Sequence, residues 1–438
     1  MRFDAVEFIH DLTIGDLPPA VVEAAQRSLL DLLGVAAAGS TTPLARIVRE
    51  HAVRWCAAGP GGGARLIFDG RRVGPVGAAL AGAATIDSLD GHDGHALTKG
   101  HAGVAVLPVL LACAELGSDV SGAEFVTALV VGYEVAIRAG IALHASAAEY
   151  HCSGAWNALG AAAAGSRLMK LTGEQTRHAL GIAEYHGPRG LMMRCIEHPT
   201  MVKDGSDQGA AAGLGATLLA AGGFTGAPAV TVERPAGWDD LGRRWRILET
   251  YHKPYPVCRW AHPAIDAALD MRRQGPLDIE AVEVVTFHEA ARLTCRRPLT
   301  TEQAQYSLPF PVAAALVRGS VGAAEITGDA LSDRAVLRLA ESMTVNESPA
   351  YSAAFPAARR ARVTVTLADG HVLTAEATES RGDPACPLTD RELAEKFWQF
   401  ARPVLGTARS DRIEGAVAGL IDNGPAHALL EEVLTPPG

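Results

Sequence analysis

The sequence predicts a mainly α-helical protein: a large helical domain to which the final helices return, with a smaller α+β unit inserted between the helical segments. Three observations carry this. The 438 residues exceed what one hydrophobic core usually supports. Up to about residue 250, apolar residues recur at three- and four-residue spacing, the period of a helix with one buried face. After about residue 275 alternating stretches appear among helical ones, and helical periodicity returns at the C-terminal end.

The helical pattern is carried by segments 21–38, 104–116, 123–145, 154–171, 173–185 and 209–221. Their interiors are rich in alanine and glycine. Glycine lowers helix propensity by about 1 kcal/mol relative to alanine, so close packing between helices must supply the stability. Start signals agree: Ser121 and Thr172 precede helical runs, and Glu124 stands three residues past Ser121 as a capping-box pair. The exception is 65–73, a short hairpin around Asp69-Gly70. In the second half, 279–287 alternates, and 360–367, Asp369-Gly370 and 371–377 read as strand, tight turn and returning strand. Helical spacing covers 311–318, 333–343, 390–400 and 408–421. The expected division is 1–255 helical, 256–397 α+β lid and 398–438 returning to the helical domain; there is no internal repeat.

A net charge of −10 gives no general attraction to nucleic acid or anionic lipid, so an anionic ligand must be held by local positive charge. Seven scattered cysteines without a C-x-x-C pair read as reduced thiols. The N-terminus lacks the layout of a secretory signal. The apolar run 125–143 is broken by Glu134 and Arg138, short of the ~20 residues of a spanning helix. The expectation is a cytoplasmic protein without membrane or nucleic-acid partners.

Chemistry concentrates first at Asp90-Gly-His-Asp-Gly-His-Ala-Leu-Thr-Lys-Gly-His101, directly before an apolar helix. Two carboxylates, three imidazoles and a lysine at the mouth of a buried helix read as one wall of a site. His92, Asp93 and His95 suit a divalent ion by type, but no third-ligand motif supports them, and a hydrogen-bonded loop with His101 facing substrate is preferred. His151 precedes a small-residue helix, where an anion is favoured; its bland alternative is a capping histidine. Lys203 precedes another such helix. Lys253, Arg259 and His262 crowd a proline-rich stretch leading into the second domain. Titratable imidazoles with fixed cations are the equipment for removing a proton alpha to a carboxylate and holding the resulting dianion, which needs no cofactor. No G-x-S-x-G, P-loop or complete dinucleotide fingerprint occurs, and pairs such as Arg359-Arg360 read as solvated faces.

At these residues the chain resembles the MmgE/PrpD family. The resemblance runs through 28–34, 87–108, Lys203-Asp-Gly, 223–228, Lys253-Pro-Tyr-Pro-Val-Cys-Arg259 with His262, and Pro387-Leu-Thr-Asp390. It implies a helical domain from both chain ends, an α+β lid, a homodimer and a metal-free, cofactor-free site between the domains. It places site residues at Asp90, His101, His151, Lys203, Lys253 and His262. His101 and His262 would be the acid/base pair, with Asp90 and His151 orienting the reacting groups. Lys203, Lys253, Arg259 and Asp93 would bind a small carboxylate substrate. Two positions depart: Ser307-Leu-Pro-Phe310 stands where a decarboxylase of the family has Ser-Phe-Gln-Tyr, placing Phe310 at one corner of the pocket, and Gly94 replaces a threonine. The implied activity is a dehydratase-type lyase acting on a small hydroxy-di- or tricarboxylate resembling 2-methylcitrate. The alternatives are an epimerase or decarboxylase sharing the enolate step, on substrates such as iminodisuccinate or cis-aconitate, and a catalytically silent carboxylate-binding dimer.

Overall fold

The computed structural model describes residues 4–117, 120–233, 237–273, 275–377, 379–422 and 426–437. Its helical body is built around Pro75–Asp87, Gly103–Leu116, Gly122–Ser146, Gly154–Leu168 and Ser206–Ala221, which pack on one another. Small residues set how closely: a Cβ on Gly160 would lie 2.3 Å from the carbonyl oxygen of Gly132, so a side chain there would push two helices apart. Helix Gly122–Ser146 is long and apolar enough to cross a membrane, yet 89% of its apolar window is buried inside the protein. Glu134 and Arg138 are the reason its pattern is broken. They form a fully buried pair at 3.2 Å, and Arg138 also donates to the carbonyls of Gly237 and Arg244, while Glu134 accepts from the N–H of Ile247. These charges pin the segment that leads into the site. Unsatisfied, they would be costly to bury; here nearly every one has a partner.

The capping signals resolve differently. Thr172 forms a reciprocal box with Gln175. Ser121 accepts from the N–H of Glu124, but the Glu124 carboxylate turns to Arg167 at 2.7 Å, so only half of that expected box forms. The stronger charge-assisted contact wins.

The lid carries a four-stranded sheet of β1 (Ile279–Thr286), β2 (Thr344–Glu347), β3 (Ala361–Leu367) and β4 (Val372–Ala377), in the order β2-β1-β3-β4. β3 and β4 are the expected hairpin, with Gly370 at φ 85° in its turn; β2, an edge strand parallel to β1, was not foreseen. Helix His262–Arg272 packs on β3 and β4. The chain then returns: helix Asp390–Leu405 packs along Pro19–Gly39, so the return begins at Asp390, ahead of position 398. Its Lys396 is buried and reaches both Asp31, at 2.5 Å, and the carbonyl of Gly91, at 2.6 Å. That contact fastens the loop bearing Asp90 to the helical body.

Candidate active site

Two loops distant in sequence are spliced by a two-residue antiparallel ladder, Gly94 opposite Tyr251 and His95 opposite Thr250. This brings the loop holding Asp90 and His101 against the loop holding Lys253. Gly94 is needed there, because a Cβ would lie 2.5 Å from the Tyr251 hydroxyl and 2.8 Å from His101 Nδ1. The departure at position 94 therefore makes room for Tyr251.

His101 is fixed from every side. Its backbone N–H donates to Ser153 Oγ at 2.9 Å, and its carbonyl accepts from Asn157 at 3.1 Å. Its Nδ1 lies 2.5 Å from the carbonyl of Asp93. A carbonyl only accepts, so Nδ1 carries the proton and Nε2 presents its lone pair. That lone pair lies 3.9 Å from Asp90 Oδ1. Burial, with the charges of His92 and Lys253, holds the imidazole well below its ordinary pKa, against the opposing pull of Asp90. At neutral pH the ring is uncharged, and its contact with Asp90 is not an ion pair.

Asp90 is buried, which alone would raise its pKa, but the charges of Lys253 and Lys203 outweigh burial and hold it well below the usual carboxylate range. Lys253 Nζ donates to Asp90 Oδ1 at 2.5 Å and to its carbonyl at 3.1 Å. Gln305, from the lid, closes the arrangement: its Oε1 accepts from the N–H of Asp90 at 3.1 Å and from Lys203 Nζ.

Asp90, His101 and Lys253 border a cavity of about 30 Å³ between body and lid, lined also by Lys99, Tyr150, Met192, Tyr251, Arg259, Tyr306 and Arg359, among others. A larger one, about 600 Å³ beside Lys396 and Phe400, contains no imidazole. The smaller space has room for a water or two, and a larger ligand would enter only with its lining moved apart.

Asp90, His101, Lys253 and Arg259 are thus brought together as expected. The other expected residues stand elsewhere. His262 does not line the cavity: its Nδ1 accepts from Arg259 at 3.0 Å and its Nε2 donates to the carbonyl of Val257 at 3.1 Å. With both nitrogens engaged it has no lone pair for a substrate proton. Lys203 sits one layer back, 4.7 Å from the centre of the Tyr306 ring. Asp93 also lies behind: Tyr133 donates to its carboxyl at 2.5 Å, and burial with the nearby charge of Asp31 raises its pKa to about 6. His151 does not line the cavity; its backbone bridges to Leu191, while Tyr150 and Met192 face the space. The helix start after His151 is occupied by Asp204, which accepts from the N–H of Ser153 at 3.1 Å. Phe310 is fully buried in helix Pro309–Arg318 and forms no corner of the cavity; Tyr306 lines it instead. The candidate metal ligands face apart, His92 toward Asp87 at 3.3 Å and His95 toward Glu249 at 3.4 Å.

Lys99, Tyr251, Tyr306 and Arg359 also line the cavity, and the sequence alone does not single them out. Lys99 offered one signal, its place inside the Asp90–His101 run. Arg359, read as solvated, is only 4% exposed. Lys99 and Lys203 also share a left-handed backbone, at φ 51° and 52°, a conformation costing a side-chain-bearing residue about 1–2 kcal/mol and found where surroundings enforce it. Cys258 borders the cavity as a thiol that burial pushes up to about 12, too high for a nucleophile.

Residues 4–243 match the MmgE/PrpD N-terminal domain and residues 255–420 the MmgE/PrpD C-terminal domain. The chain is 28% identical to the cis-aconitate decarboxylase-like protein oryM of Aspergillus oryzae, over 97% of this chain and 95% of that one. It is 25% identical to cis-aconitate decarboxylase of Aspergillus terreus, over 94% and 91% of the two chains. It is also 25% identical to the cis-aconitate decarboxylase of Homo sapiens, over 91% and 87%. With both domains matched across nearly its whole length, and with the fold such a match implies, the chain belongs to the MmgE/PrpD family.

Proposed function

We propose that this chain is a lyase acting without a cofactor on a small di- or tricarboxylate, and that His101 moves a proton at the carbon next to a carboxylate. The observation that carries the reading is the buried, uncharged imidazole whose free Nε2 faces the cavity beside the Asp90–Lys253 pair. A neutral ring is equipped to take a proton. In a dehydration, Nε2 removes the alpha proton, and the electron pair spreads into the adjacent carboxylate under the positive charge of Lys253. The pair then forms the carbon–carbon double bond as the neighbouring carbon–oxygen bond breaks, and the imidazolium returns its proton to the departing hydroxide, which leaves as water. Asp90 stabilises the imidazolium meanwhile. His262 acts through Arg259 as a positioning residue, and Lys203 through Gln305.

The relatives' names favour a second reading, decarboxylation. There the carbon–carbon bond breaks first, carbon dioxide leaves, and the carbanion takes a proton from His101, which must arrive charged. The two readings differ in the sign of their pH dependence. For dehydration or epimerisation, kcat/KM is level above neutrality and falls in acid as His101 gains a proton; for decarboxylation it falls as pH rises. The experiment is a panel of di- and tricarboxylates assayed for loss of water, loss of carbon dioxide and solvent deuterium uptake, with pH profiles on whichever is consumed. Binding without turnover across the panel overturns the lyase reading and leaves a carboxylate binder. A homodimer belongs to the same proposal: Leu191, Met201 and Val202 stand exposed beside the site loops, and sedimentation equilibrium tests it.

A further inference from the structure

Of four cations bordering the cavity, two are matched. Lys253 holds Asp90 at 2.5 Å, and Arg259 holds Asp383 at 2.7 Å while donating to the carbonyls of Ser380 and Arg381. The other two form no close ion pair with a carboxylate among the described residues; Glu289 acts on Lys99 only at longer range, and the charge of Arg359 opposes it. Lys99 lies with its Nζ 4.6 Å from the centre of the Tyr150 ring. Arg359 is 4% exposed, its Nε is buried without a hydrogen-bond partner, and its guanidinium lies 5.8 Å from the centre of the Phe355 ring. The two belong to different halves, Lys99 to the body and Arg359 to the lid just before β3, and both line the same cavity. A buried guanidinium without a counter-charge is costly, and the fork geometry of arginine suits a carboxylate's two oxygens.

We propose that Arg359 and Lys99 together take one carboxylate of the substrate, separate from the one beside Lys253, so that the site selects molecules with at least two carboxylates. This rests on the reading of the cavity as the lyase site. Lys253 attends the carboxylate next to the reacting carbon, and the Arg359–Lys99 corner anchors the far one. Because the corner spans body and lid, an occupied site also draws the halves together.

The test is calorimetric titration of the full-length protein with tricarballylate and with butanoate, which offers one carboxylate, in wild type, Arg359→Met, Arg359→Lys and Lys99→Met. Arg359→Met is expected to weaken tricarballylate at least tenfold and to leave butanoate within twofold; Lys99→Met follows with a smaller loss, and Arg359→Lys falls between. In the ligand-free state Arg359→Met is expected to raise Tm, because it removes a buried charge without a partner; a structural arginine would lower it. Unchanged tricarballylate affinity in Arg359→Met, or a lowered ligand-free Tm, overturns this proposal alone. A wild type that binds no carboxylate overturns the lyase reading with it.

Discussion

The Nδ1–H of His101 donates to the backbone carbonyl of Asp93 at 2.5 Å, so an uncharged main-chain group sets which nitrogen faces the cavity. Replacing His101 with alanine should lower turnover of the true substrate by at least about a hundredfold, the scale of a lost general base, with the fold retained. Steady-state kinetics and circular dichroism check this; loss of fold with activity per folded molecule unchanged would refute it.

Asp93 contributes to that contact through its carbonyl, which Asp93→Asn preserves. The carboxyl has an ordinary pKa near 3.8 and a folded value of about 6. An acid whose folded pKa is raised costs nothing below its unfolded value, and destabilises increasingly as pH climbs toward the folded one. The Tm difference between Asp93→Asn and wild type should therefore be more positive at pH 8 than at pH 4.5, with kcat within about threefold. A difference independent of pH, or a collapse in kcat, would contradict the placement of this carboxyl behind the site.

A methyl group at position 94 would collide with the Tyr251 hydroxyl at 2.5 Å and the His101 ring at 2.8 Å. Gly94→Ala should cost about 1–3 kcal/mol of stability, as overpacking does, and should reduce kcat more than it raises KM, because the displaced group is the base. Denaturant unfolding and kinetics on the same preparation decide it.

Lys396 and Asp31 form a buried pair at 2.5 Å. Lys396→Met strands a buried carboxylate and should cost about 3–5 kcal/mol, while adding Asp31→Asn should recover most of the loss. Urea melts of the two variants would show no recovery if the pair were solvent-screened.

How much of this was legible follows from what a sequence displays. Helices with an apolar stripe, such as Asp390–Leu405, showed their period. Pro75–Asp87 did not, because alanine and glycine buried all round leave no stripe. β2 was missed since a short, mostly exposed edge strand has no alternation. At the site, Asp90, His101 and Lys253 were conspicuous because charged and titratable groups crowd among small residues. His262 looked equally reactive, and only the positions of Arg259 and Val257 reveal that both its nitrogens are spoken for. Arg359 sat in an ordinary-looking basic pair; its isolation inside the protein is a property of the folded chain.

The ladder joining Gly94–His95 to Thr250–Tyr251 has a consequence for dissection of the protein. The N-terminal family unit ends at residue 243, short of the second strand, so it owns the imidazole without the lysine that complements it. Expressed apart, neither half would possess a working centre, and mixing the two polypeptides should restore one only where they reassociate around those four residues.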